Sequence, residues 1–111
     1  MPELDPEDEK IVILARTTRA RTQAAEGAAV RDTDGRTYAA ATVRLPSLKL
    51  TALQAAVAAA VSSGAESLEA AAVVTEEPMV LGASVQAVRD LAADAPILRA
   101  DPSGTVQETL R

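Results

Sequence analysis

Leu68-Glu69-Ala70-Ala71-Ala72-Val73-Val74-Thr75 is apolar at nearly every position. A strand that is wet on one face alternates apolar and polar residues, whereas one covered on both faces does not. The stretch therefore predicts a central strand between two layers. Glu76-Glu77-Pro78 ends it, since proline has no N–H to give to a ladder. Downstream, residues 83–93 place Val85, Val88, Leu91 and Ala92 on one helical face. Pro96-Ile97-Leu98-Arg99-Ala100 reads as the next strand and Asp101-Pro102-Ser103-Gly104 as a turn. Residues 105–110 read as a last edge strand.

Upstream, residues 49–63 form an Ala-rich helix that is apolar nearly all round, so most of its faces should be buried. Gly64 closes it, and Pro46-Ser47 separates it from a hairpin. The hairpin consists of Ala28-Ala29-Val30-Arg31, a turn at Asp32-Thr33-Asp34-Gly35, and a return over residues 36–43. Further upstream, Asp5 is suited to cap a helix and Pro6 to open it, with Glu7, Asp8 and Glu9 at its positive end. That helix should reach about residue 19, with Ile11, Leu14 and Ala15 facing the core. This order predicts an α/β fold: a three-layer α/β/α sandwich on a five-stranded mixed sheet, with two right-handed β-α-β crossovers. One domain spans residues 1–111, divided into an N-terminal helix (1–22) and a core (23–111).

Composition narrows the chemistry. The 111 residues contain no histidine and no cysteine. That removes the commonest general base at neutral pH, every thiol nucleophile, every disulfide and the soft zinc ligands. The net charge of −5 leaves no basic surface for nucleic acid or an anionic membrane. Arg16, Arg19 and Arg21, with Lys10 nearby, read as a solvated helix end. No apolar run reaches the roughly 20 residues of a membrane span, and the acidic Met1-Pro2-Glu3-Leu4-Asp5 start has no signal-peptide core. The expected location is the cytoplasm. Tyr38 is the only aromatic residue, and a small core of alanine and aliphatic residues buries little area. A homo-oligomer, dimer or tetramer, is therefore expected.

Four segments carry a resemblance. Glu26-Gly27-Ala28-Ala29-Val30, Asp34-Gly35-Arg36-Thr37-Tyr38, Ala60-Val61-Ser62-Ser63-Gly64 and Gly82-Ala83-Ser84-Val85-Gln86 follow one another along residues 23–110. Together they resemble the small cytidine deaminases, with their V-G-A-A strand, D-G-K-x-Y hairpin, helix ending in A-V-S-E-G, and P-C-G-A-C-R-Q helix start. In zinc deaminases a His- or Cys-held Zn²⁺ activates water and a Glu moves the proton. Carried over by position, the first ligand falls on Thr51, the proton-shuttling Glu on Leu53, and the two cysteines on Leu81 and Ser84. The base-packing Phe falls on Ala24, and the ribose-binding N-x-E on Thr42-Val43-Arg44. Glu26 stands where the family has Val.

Such residues cannot supply the ligands that catalytic zinc needs, and leucine transfers no protons. Ser47, Thr51, Ser84 and Lys49 are the candidates for a new nucleophile and base. Ser47 and Lys49 lack a Ser-x-x-Lys spacing, and Ser84 reads as a helix cap. Asp32 and Asp34 read as turn residues rather than a carboxylate pair. The expectation is a homologue that is not an enzyme, needs no metal or cofactor, and serves as an oligomeric scaffold or regulatory binding module. The alternative is a small-molecule protein with a remodelled pocket for a nucleoside or anion, where Arg44 and Lys49 would favour negative charge. An active cytidine deaminase comes last.

Overall fold

The computed structural model describes residues 4–111; the expectation about Met1-Pro2-Glu3 lies outside them. The elements run α1 (Pro6–Thr22), β1 (Gly27–Asp32), β2 (Thr37–Ala41), β3 (Val43–Leu45), β4 (Leu48–Leu50), α2 (Ala52–Ser62), β5 (Leu68–Val74), α3 (Gly82–Leu91), β6 (Ile97–Ala100) and β7 (Val106–Leu110). The main sheet has five strands in the order β2-β1-β5-β6-β7. β5 and β6 are parallel, while β1–β2, β1–β5 and β6–β7 are antiparallel. The α/β/α sandwich on a five-stranded mixed sheet is therefore present.

Two antiparallel pairings, β2 with β1 and β1 with β5, leave β2 parallel to β5. Hence β2-α2-β5 and β5-α3-β6 are both parallel crossovers stepping the same way along the sheet, and same-handed steps place their helices on one face. There Ala52, Leu53, Ala56, Val57 and Ala60 of α2 and Val88 of α3 pack against Ala28, Val30, Ala71 and Val73. The opposite face carries α1, whose Ile11, Val12 and Ala15 pack on Ala29, Ala70, Ala72 and Val74. The alternation of neighbours along β1 and β5 between the two clusters is the period-two geometry of a strand. Both faces are dry, which explains why β5 reads as a continuous apolar run.

Gly27 is demanded by the close approach of α1. A Cβ there would collide with the Ala15 carbonyl oxygen and the Arg19 backbone nitrogen. Arg31 ties the same layers at the other end of β1, pairing with Asp8 of α1 and Glu69 of β5, each at 3.0 Å.

The N-terminal helix ends at Thr22, the limit of its expected 1–22 span and beyond the narrower reading of about residue 19, where Gln23 turns left-handed at φ 56°. Two expectations need correction. Residues 43–50 are neither a strand end nor a helix start but a separate small hairpin, β3–β4, closed by Pro46-Ser47. α2 accordingly begins at Ala52, where Thr51 and Gln54 form a reciprocal capping box. Ser84 is no cap: Leu81 occupies that position without a side-chain bond, and Ser84 lies inside α3, 1% exposed.

Candidate functional site

A cleft of about 870 Å³ opens where the starts of α2 and α3 meet the end of β5 and the β3–β4 hairpin. Thr51 is part of its lining. Its hydroxyl oxygen accepts from the Gln54 N–H at 3.1 Å and from the Ser84 hydroxyl at 2.7 Å. Gln54 returns a bond from its side-chain oxygen to the Thr51 N–H at 2.9 Å. With both acceptor positions used, the Thr51 O–H remains as a donor.

The carried-over positions separate under this geometry. Thr51 and Ser84, distant in sequence, meet directly. Leu81 lines the cleft and is 41% exposed. Leu53 points elsewhere: it is fully buried in the core between α2 and the sheet. Thr42 and Arg44 line the cleft. Ala24 does not; it is half-buried after α1, its N–H donating to the Arg19 carbonyl at 3.2 Å, while its neighbours Ala25 and Glu26 reach the cleft wall. Ser47 lies in the exposed turn of the small hairpin and is not part of the cleft lining, whereas Lys49 is.

Glu26 received no role from the sequence beyond breaking the family pattern. It is 6% exposed and lines the cleft. Thr42 clasps its backbone: the Glu26 N–H donates to the Thr42 hydroxyl at 3.1 Å, and the Thr42 N–H donates to the Glu26 carbonyl at 3.2 Å. The one available signal was a charged residue directly before a buried strand. Beside it, Arg19 donates to the Ala25 carbonyl at 3.1 Å and reaches Glu76 at 3.4 Å. The buried Thr75 hydroxyl accepts from the Glu77 N–H at 3.1 Å and turns the chain at the end of β5.

The family resemblance implies zinc at the Thr51–Ser84 junction. Two hydroxyls bonded to each other, beside an exposed leucine, do not fit that ion, which takes thiolate, imidazole or carboxylate ligands. Among the described residues no group of three His, Cys, Asp or Glu side chains converges. Nor, among the described residues, is any helix long and apolar enough to cross a membrane. Asp32 and Asp34 form no carboxylate pair: Asp32 ends β1 and Asp34 lies in the turn, and the Asp32 carboxylate accepts from the Asp34 and Arg36 N–H groups and from Tyr38.

Comparison with curated proteins yields no match. Among solved structures, the chain is similar to the cytidine deaminase from Burkholderia pseudomallei, at 22% identity and a TM-score of 0.79, covering 91% of this chain and 89% of that one. It is similar to the cytidine deaminase from Mycobacterium tuberculosis at 25% identity and TM-score 0.71, covering 94% and 91%. For the Mycobacterium leprae cytidine deaminase the values are 22% and 0.72, with 93% of each chain covered. The cytidine deaminase-like family model matches residues 4–104. These findings overturn the expectation of a non-enzymatic scaffold or regulatory module: the family model is cytidine deaminase-like and these similar structures are cytidine deaminases. A match over nearly the whole chain makes this protein a member of the cytidine deaminase-like family.

Proposed function

We propose that this protein is a deaminase of cytidine-type nucleosides, working in the cleft at the starts of α2 and α3. The observation that supports this most is the meeting of Thr51 and Ser84 at 2.7 Å. These two positions come from separate motifs of the resemblance; Thr51 lines the cleft and the buried Ser84 bonds to it from α3, in a fold that overlays cytidine deaminases. The cleft volume suits a nucleoside, since small-molecule pockets span about 300–1,000 Å³.

The reaction exchanges a C–NH₂ group for C=O, consuming one water and releasing one ammonia. The attacking water must lose a proton and the leaving amine must gain one. The cleft offers Glu26, Glu76, Glu77 and Lys49 as its acid–base groups. Positioned acid–base groups contribute about 10²–10⁴-fold to a rate. The Thr51 O–H and the Gln54 amide add neutral hydrogen-bonding groups for orienting a base or ribose.

Purified protein is incubated with cytidine, without and with added zinc, while absorbance and ammonia are followed and binding is measured by calorimetry. Stoichiometric ammonia release supports the proposal, and the absence of both binding and ammonia overturns it. The same reading places the protein in the cytoplasm as a homo-oligomer. Exposed Leu45, Leu48 and Met79 support self-association, which light scattering tests against a clean monomer.

A further inference from the structure

Glu26 and the β3–β4 hairpin pose two unmet electrostatic needs in one cleft. Glu26 is more than nine-tenths buried, yet among the described residues its carboxylate has no hydrogen-bond or ion-pair partner. Its oxygens are not sealed in the core either: the one fully enclosed orphan atom among the described side chains is Nη1 of Arg31. The Glu26 carboxylate therefore opens on the cleft it lines. A buried acceptor of this kind calls for N–H or O–H donors.

At the rim the need is reversed. Arg44 and Lys49 are direct cross-strand partners in the small hairpin. Both line the cleft, and among the described residues neither has a carboxylate within ion-pair distance. Like charges directly opposite on an antiparallel pair repel, and an anion between them relieves that. Thr42, which clasps Glu26, precedes Arg44 by two residues, roughly 7 Å of extended chain. The lone acceptor and the paired cations thus line one cleft, close along the chain through Thr42.

We propose that the cleft takes a 4-aminopyrimidine nucleoside phosphorylated on its ribose, with Glu26 accepting from the amino edge of the base and Arg44 and Lys49 holding the phosphate. This rests on the deaminase reading and names the substrate class of the same site. Arginine meets phosphate with two parallel donors and lysine with a point charge. A carboxylate facing the 4-position favours an amino group, which donates, over a carbonyl, which only accepts.

Calorimetry at low salt compares cytidine, cytidine 5′-monophosphate, uridine 5′-monophosphate and inorganic phosphate. Cytidine monophosphate should bind at least tenfold tighter than cytidine, and tighter than phosphate alone. An Arg44→Ala/Lys49→Ala double variant should erase the advantage over cytidine. Glu26→Gln should cut the preference for cytidine over uridine monophosphate at least tenfold. Thermal unfolding of each variant verifies folding; Arg44 and Lys49 are exposed, and glutamine matches glutamate in shape.

If cytidine binds as tightly as its monophosphate, or the double variant keeps the advantage, the phosphate assignment falls and the deaminase reading stands. Phosphate binding as tightly as the nucleotide also overturns it, leaving an anion site only. An unchanged base preference in Glu26→Gln overturns the role of Glu26. If no nucleoside or nucleotide binds, the deaminase reading falls and takes this inference with it.

Discussion

Two buried carboxylates flank β1, and they are treated in opposite ways. Asp32, at its end, is 2% exposed and accepts from the Asp34 N–H, the Arg36 N–H and the Tyr38 hydroxyl at 2.9, 2.9 and 2.8 Å. Burial pushes its carboxyl up, but the Tyr38 and backbone donors outweigh this and hold it below the usual range. Glu26, just before the strand, is 6% exposed; its backbone is pinned by Thr42 and its carboxylate has no partner among the described residues. A saturated buried acid belongs to the architecture. An unsaturated one facing a cleft is free to meet a ligand.

This contrast can be broken by substitution. The largest effect is expected beside Glu26, in the backbone. Gly27→Ala forces α1 off β1 and should cost about 3 kcal/mol of stability, the upper part of the usual range for overpacking. An unchanged urea midpoint would show that the close approach of α1 is not what fixes this end of the strand.

The two acids themselves come next. Asp32→Ala strips three donors of their acceptor and should lower the unfolding midpoint clearly. Glu26→Gln should barely move it, because no internal bond depends on that side chain. The reverse order would refute the contrast.

Thr51→Ala tests whether this cleft-lining residue is also structural. Loss of the α2 cap costs about 1 kcal/mol, and Ser84 loses its hydroxyl partner besides. Thr51→Ser keeps both bonds and should recover most of that loss.

The smallest effect is in pH dependence. The Asp32 contribution is complete above the ordinary aspartate pKa of about 3.9 and is lost as pH falls through its lower folded value. Hydrogen bonding to Asp32, with burial, raises the Tyr38 phenol. Its contribution is complete below the ordinary tyrosine pKa of about 10 and is lost as pH rises through the higher folded value. Asp32→Asn should flatten the stability curve at both ends. An unchanged curve would show that the bonds to Asp32 do not set this pH dependence.

Much of the frame was legible because its signals are local. The run of β5, the Asp32–Gly35 turn and the Asp5-Pro6 helix start each lie within a few residues, and the structure keeps all three. The β3–β4 hairpin escaped notice because three-residue strands are too short to show a period. Its Pro46-Ser47 turn is also not one of the strong hairpin pairs. Ser84 was misread for a related reason. Position near a helix start suggests a cap, and only the docking of α3 on α2 turns its hydroxyl to Thr51. The scaffold reading failed differently: replaced ligands said what the site lacks, and family membership is a property of the whole chain.

By itself, then, the sequence determined the layers and excluded thiolate and imidazole ligands, because strand period, helix face and residue chemistry are written along the chain. Only the tertiary structure decided which side chains share the cleft. The Thr51–Ser84 bond, the open Glu26 carboxylate and the facing cations Arg44 and Lys49 all depend on how separate elements dock. A hydrogen bond is made over about 3 Å, a distance that local patterns do not encode between residues far apart in the chain.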